Sequence, residues 1–287
     1  MSTAQQPQVE FRDKFIAFID VLGFENRVKS AEAGAGMTLP QLLTLLEQLG
    51  SVDERDHFAE YGPIICPAAS YLRRDLDFQF TQISDCAVLS AEVSPAGVIN
   101  LVDQCSKAVF RLLKAGALCR GAITRGSIYH TGRQFVGTGY VEALKAEKAV
   151  AFRLRNEVEK STPFVEVGGS VVAYIAGCED TCVQEMFERM VERDGGTAVL
   201  FPFKRLSPSF YGIAISSARD IEQARMSNQA VRHSVERLIA GVHASVEGAD
   251  PKAICKAEHY VSVLTEQVKA CDRTNQMLND LSAPFPR

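Results

Sequence analysis

The 287-residue sequence predicts an α+β fold: a split βαβ sheet followed by a C-terminal helical hairpin. Three observations carry this. The first part of the chain alternates apolar runs and helical patterns in the order β, α, β, β, α, β. Its leading run, residues 14–20, is apolar almost throughout, as a central strand is. The last third carries two unbroken stripes at steps of three and four, from Ile221 through Asn228 to Val242 and from Ile254 through Asn275 to Leu278.

In chain order, the strand over 14–20 runs into Gly23-Phe24 and a polar, Ala/Gly-rich stretch. Thr38 caps a helix over 41–49, with Pro40 in its first turn. Residues 51–75, with Gly62-Pro63 and Cys66-Pro67, form an irregular connection. Strands over 77–83 and 86–91 make a hairpin turning at Ser84-Asp85. Ser94-Pro95 opens a helix in which Val98, Leu101, Val102, Cys105, Val109 and Leu112 recur at helical spacing until Gly116. A strand over 117–129, a short one over 134–136, a helix over 140–160 and a hairpin-like pair over 164–167 and 170–175 complete this part. The helices are expected on one face of the sheet. Asp250-Pro251 then opens the second helix of the terminal hairpin. The expected division is a flexible tail at 1–13, a catalytic body at 14–176 and a mostly helical extension at 177–287 packed on that body.

Lys and Arg number 31 against 35 Asp and Glu, a net charge of -4 with pI ≈ 5.8, which argues against a nucleic-acid polymer or an anionic membrane surface as partner. A small anion held by a local basic pocket is compatible with that balance. The polar start MSTAQQPQVEFRDK has no apolar export segment, and no run is long enough to span a membrane, so a cytoplasmic protein is expected. The eight cysteines include no CxxC pair, and the plain expectation is reduced core thiols.

Three segments carry chemistry. In Phe18-Ile19-Asp20-Val21-Leu22-Gly23-Phe24, a carboxylate ends a buried strand at a glycine turn. Asp20 and the Val21 carbonyl can offer oxygens to a hard cation, and the amides of Leu22, Gly23 and Phe24 can meet phosphate; alternatively Asp20 only caps the turn. Asp85 stands at the hairpin tip, where a second carboxylate can join the first, or where Asp simply suits a turn. Arg120, in Arg120-Gly121-Ala122-Ile123-Thr124-Arg125-Gly126, enters an apolar strand and needs an anion if buried, whereas Arg125 has the opposite parity. Lys148 falls on the stripe of Val141, Leu144, Ala151 and Leu154, an odd place for a solvated lysine, and is a candidate substrate contact.

Together these segments resemble the class III nucleotide cyclase catalytic domain, whose F-x-D-x-x-G-F strand, aspartate-tipped hairpin and R-x-G-I-x-x-G strand match Asp20, Asp85 and Arg120. The resemblance covers residues 14–176 and implies a ferredoxin-like split βαβ fold. It also implies two divalent cations (Mn²⁺ or Mg²⁺) on Asp20, Val21 and Asp85, triphosphate contacts from Arg120, and a homodimer with each site at the subunit interface. The chain departs from that family in three places. Glu142 and Ala146 stand where an asparagine and an arginine are usual, Thr81 replaces the purine-selecting lysine, and Phe135 falls near the adenine-reading acid. With Ser84-Asp85 and the run 137–143 (GTGYVEA), the pattern is similar to the bacterial pyrimidine cyclases of Pycsar antiphage systems. That resemblance implies conversion of UTP to cyclic UMP, sensed by a separate effector, with CTP, a purine triphosphate and a non-catalytic nucleotide-binding module as successive alternatives.

Overall fold

The computed structural model describes residues 9–50, 57, 60–70, 73–155, 159–203 and 218–282. Among these, eight strands form one sheet: β1 (Arg12–Val21), β2 (Gln79–Ile83), β3 (Cys86–Glu92), β4 (Cys119–His130), β5 (Phe135–Val136), β6 (Val165–Val167), β7 (Val191–Asp194) and β8 (Thr197–Leu200). Their order is β2-β3-β1-β4-β6-β8-β7, with β5 pairing β4 off this path. Strand β1 is antiparallel to both neighbours, and Asp20 lies opposite Cys86 on one side and Arg120 on the other. The segment β2-β3-β1-β4 is the ferredoxin-like split βαβ arrangement expected from the sequence.

Strand β1 is apolar from Phe15 to Ile19 because both of its faces are buried there. Phe15, Ala17, Ile19 and Val21 enter the main core, while Ile16 and Phe18 enter a smaller core on the other face. The main core is built on α3 (Pro95–Lys114), which follows α1 (Phe24–Glu32) and α2 (Leu39–Leu46) in the chain. Helix α3 begins where Gly97 N–H donates to Ser94 Oγ at 3.0 Å, a cap contributing about 1 kcal/mol, and Gly116 follows its end at φ 70°. Asn100, fully buried in α3, bonds the Ile64 main chain through both its oxygen and its nitrogen and so fastens part of the long connection. Within that connection residues 51–56, 58, 59, 71 and 72, like the tail residues 1–8, lie outside the described residues.

Several expectations need correction. The helices do not share one face, because α4 (Thr138–Lys148) packs Ala143, Leu144 and Tyr140 against Ile16 and Phe18 on the opposite side. The helix expected over 140–160 ends at Lys148. The chain turns back there to stack Phe152 on Phe164 at 5.1 Å, and Phe164 in turn on Tyr260 at 5.0 Å; residues 156–158 lie outside the described set. Residues 170–175 are not a strand but part of α5 (Gly169–Ala176), with Val171 and Ile175 buried one turn apart. Strand β6 therefore has no hairpin partner; it runs parallel to β4 and antiparallel to β8. After α6 (Thr181–Glu188), β7 and β8 carry the sheet past residue 177.

Helices α7 (Ala218–Ser245) and α8 (Pro251–Ser282) form the expected hairpin. Val235, Leu238 and Val242 of α7 and Ala257, Tyr260 and Leu264 of α8 enter the main core. Asn228 sits fully buried on the stripe and donates to Cys271 O at 2.9 Å and Asn275 Oδ1 at 2.6 Å, which fixes the register of the two helices. Among the described residues no helix is long and apolar enough to cross a membrane. All eight cysteines are free.

Candidate active site

Asp20 closes β1, and the chain leaves the strand through Gly23, whose φ of 73° is the left-handed conformation that glycine adopts at least cost. Helix α1 starts at the next residue. The hairpin tip is equally constrained: Ser84 has φ 53°, and Asp85 O accepts from Val21 N–H at 3.0 Å, tying the β2–β3 turn to the end of β1. The two aspartates of the sequence motif therefore meet. The Asp20 carboxyl rises to about 6, first through burial, then through the charges of Asp85 and Glu147, with Arg120 and Lys256 opposing. Cys86 feels the same negative field: burial, then Asp20, Asp85 and Glu147, push its thiol up to about 11. Mutually repelling carboxylates with oxygen-only donors fit hard divalent cations, which would relieve the repulsion.

The three amides expected to meet phosphate differ in their partners. Leu22 N–H donates to Leu118 O at 2.8 Å and is thus taken, whereas Gly23 and Phe24, at the N-terminal end of α1, carry amides with no partner among the described residues. Arg120 lies directly opposite Asp20, yet its guanidinium is already held. Its Nε donates to Glu147 Oε1 at 2.5 Å, Nη2 pairs with the same oxygen, and Nη1 donates to Ser161 Oγ at 2.5 Å. Arg125 faces away as its parity requires, paired with Asp13 at 2.8 Å and over the Tyr174 ring.

Lys148 and Thr81 differ in exposure. Lys148 is exposed, and the buried row of α4 is Gly139, Ala143 and Glu147 rather than Val141, Leu144 and Lys148. Small residues let α4 sit so close to β4 that the helix is rotated by about one residue from the apolar stripe. Thr81 is buried, its hydroxyl bonded to His130 Nε2 at 3.1 Å and to Thr131 O at 3.1 Å, while Ser90 Oγ holds His130 Nδ1 at 2.8 Å. Burial, with Lys14 nearby, lowers the His130 imidazole to about 3 and so keeps it neutral.

Sequence reasoning missed Glu147 and Lys256. The Gly139–Ala143 spacing marks a close helix face, and Glu147 is the next residue of that row. Lys256 has no local signal; α8 carries its half-buried ammonium into electrostatic reach of Arg120, Glu147 and Asp20.

No family model and no curated sequence matches the chain. Among solved structures it is similar to the catalytic core of a rhodopsin-guanylyl cyclase with converted specificity in complex with ATPalphaS, at 14% identity over 58% of this chain and 83% of that one, with a TM-score of 0.34.

Proposed function

We propose that the protein is a metal-dependent nucleotide cyclase acting on a pyrimidine triphosphate, UTP rather than CTP, to give 3′,5′-cyclic UMP and pyrophosphate. The observation that carries the cyclase reading is the meeting of Asp20, Asp85 and Arg120, from three separated segments, at adjoining ends of β1, β3 and β4; the choice of a pyrimidine, and of UTP, follows the sequence resemblance. In this reading Asp20 and Asp85, with the Val21 carbonyl, hold two Mn²⁺ or Mg²⁺ ions. Such ions supply charge neutralisation and a more acidic 3′-hydroxyl. The chain's own part is positioning: the Gly23 and Phe24 amides and the Arg120 and Lys256 cations receive the triphosphate, so that the ribose 3′-oxygen faces the α-phosphorus in line with departing pyrophosphate.

A homodimer belongs to the same reading. Beside the Asp85 hairpin a cleft of about 710 Å³ is lined by Phe11, Ile83, Tyr129, Phe135, Val136 and Tyr140, and Phe11, Ile83 and Val136 are more than half exposed. A second copy covering this apolar surface would complete each site. The product would serve as a second messenger for a separate effector in antiphage defence, in the cytoplasm.

The test is purified protein with Mn²⁺ and all four nucleoside triphosphates, the products identified by mass. Cyclic UMP that disappears in Asp20→Ala and Asp85→Ala is expected; greater turnover of ATP or GTP sinks the pyrimidine assignment. One observation favours a second reading, a non-catalytic nucleotide-binding module: Arg120 is already neutralised by Glu147. Triphosphate binding without any product in either metal would establish that alternative.

A further inference from the structure

Away from the paired aspartates, α8 and the segment before β6 bring together a thiol, an imidazole and a carboxylate. Cys255 and His259 are four residues apart and so share one face of α8. His259 is buried, its ring 6.3 Å from that of Phe164, and its Nε2 lies 2.6 Å from Glu159 Oε1. Cys255 Sγ lies 3.7 Å from the same oxygen. All three donor atoms fall within 4.8 Å of one another.

We propose that Glu159, Cys255 and His259 bind one transition-metal ion of borderline softness, Zn²⁺ above all, at a site separate from the Asp20–Asp85 pair. A mixed S, N, O donor set suits that ion and is a poor match for Mg²⁺ or Mn²⁺. Tetrahedral coordination with Zn–S of about 2.3 Å and Zn–O of about 2.1 Å sets the S···O edge at roughly 3.6 Å, close to the separation already present. The imidazole–carboxylate pair must open, by roughly 0.8 Å, to admit the ion between them. The fourth position is left for water. Binding converts the Cys255 thiol to thiolate, its proton released to solvent, and needs the Nε2 lone pair of a neutral His259 ring with the ring proton on Nδ1, so affinity falls on acidification.

The location gives the ion a consequence. Glu159 is two residues from Ser161, which accepts from Arg120, and Lys256 lies between the two helical ligands. An ion here clamps the segment and the helix that hold two cations of the candidate active site. The site itself does not depend on the cyclase assignment, and its test needs no turnover.

The full-length protein is stripped with a chelator, equilibrated with Zn²⁺, dialysed and assayed for bound metal. In parallel it is loaded with Co²⁺ and scanned for the near-ultraviolet thiolate-to-cobalt band. One equivalent of Zn²⁺ and a clear band are expected. Cys255→Ser should abolish the band, Cys255→Ser and His259→Gln should each weaken Zn²⁺ binding at least roughly 100-fold, and Asp20→Ala should change neither. Failure to retain an equivalent, or a band that survives Cys255→Ser, overturns the site and leaves a hydrogen-bonded trio. Should His259→Gln fail to fold, the Cys255→Ser spectrum decides, because serine preserves the shape of that half-buried position.

Discussion

Gly126 of β4 and Gly139 of α4 meet backbone to backbone: a Cβ on Gly126 would stand 2.8 Å from the Gly139 Cα. A Cβ on Gly139 would in turn strike the Ile16 side chain and the Gly126 main chain. This contact sets how near α4 approaches the sheet, and so where Glu147, two turns further along the helix, is delivered. Gly139→Ala is expected to lower stability by about 1–3 kcal/mol, as overpacking does. It should also depress any turnover by shifting α4. Urea denaturation beside a product assay checks both, and an unchanged midpoint would show that the helix yields freely.

Glu147 is almost wholly buried and holds Arg120 through two of its nitrogens. Glu147→Gln keeps a hydrogen-bond acceptor but removes the charge, so a loss of about 1–3 kcal/mol is expected. Triphosphate binding should tighten, because the guanidinium is no longer neutralised. Titration calorimetry separates the outcomes: unchanged affinity assigns Arg120 to structure rather than to the ligand.

Two titratable groups give the acid limb of the stability curve opposing slopes. The Asp20 carboxyl titrates at about 6 in the fold, against an ordinary 3.8, so its contribution is fully present below pH 3.8 and is lost as pH rises through 6. His130 is lowered from 6.5 to about 3, so its contribution is present above pH 6.5 and drains as pH falls, at up to roughly 1 kcal/mol per pH unit. Asp20→Asn should therefore stabilise the metal-free protein at pH 7 by about 1–2 kcal/mol after solvent screening of a partly exposed carboxyl. The same variant should make it more acid-labile between pH 6 and 4. Melting curves across pH 4–8 test this, and parallel profiles for both proteins would contradict it.

Divalent cations should act on the same carboxylates. At pH 7, Mn²⁺ is expected to raise the melting temperature of the wild type and to leave Asp20→Asn and Asp85→Asn nearly unmoved, because ligand binding to the folded state stabilises it by mass action. An equal rise in all three proteins would place the ion elsewhere.

Asp20, Asp85 and Arg120 were legible in the sequence because each sits at a position that the local pattern defines: a strand end, a hairpin tip and a strand entry. Glu147 was hidden by a helix face made of small residues, which an apolar stripe does not mark. Lys256 reaches the site only through the packing of α8, more than a hundred residues further along. The run Ser170-Val171-Val172-Ala173-Tyr174-Ile175 reads equally well as a short strand or a buried helical turn, and its burial at Val171 and Ile175 decided for the helix. The four-residue strands β7 and β8 are too short to show a period.

Helix α8 has 32 residues, so it extends roughly 48 Å, and its ends do different things. Near its start, Ala257, Tyr260 and Leu264 are locked into the body, while near its end Leu278 clusters, among the described residues, with Ile221 and Ala224 of α7 in a patch apart from the main core. Met226, Met277 and Leu281 around that far end are exposed. The hairpin is thus a lever with its fulcrum in the core. A force applied near Leu278 would reach Lys256, roughly 33 Å away, through one unbroken rod.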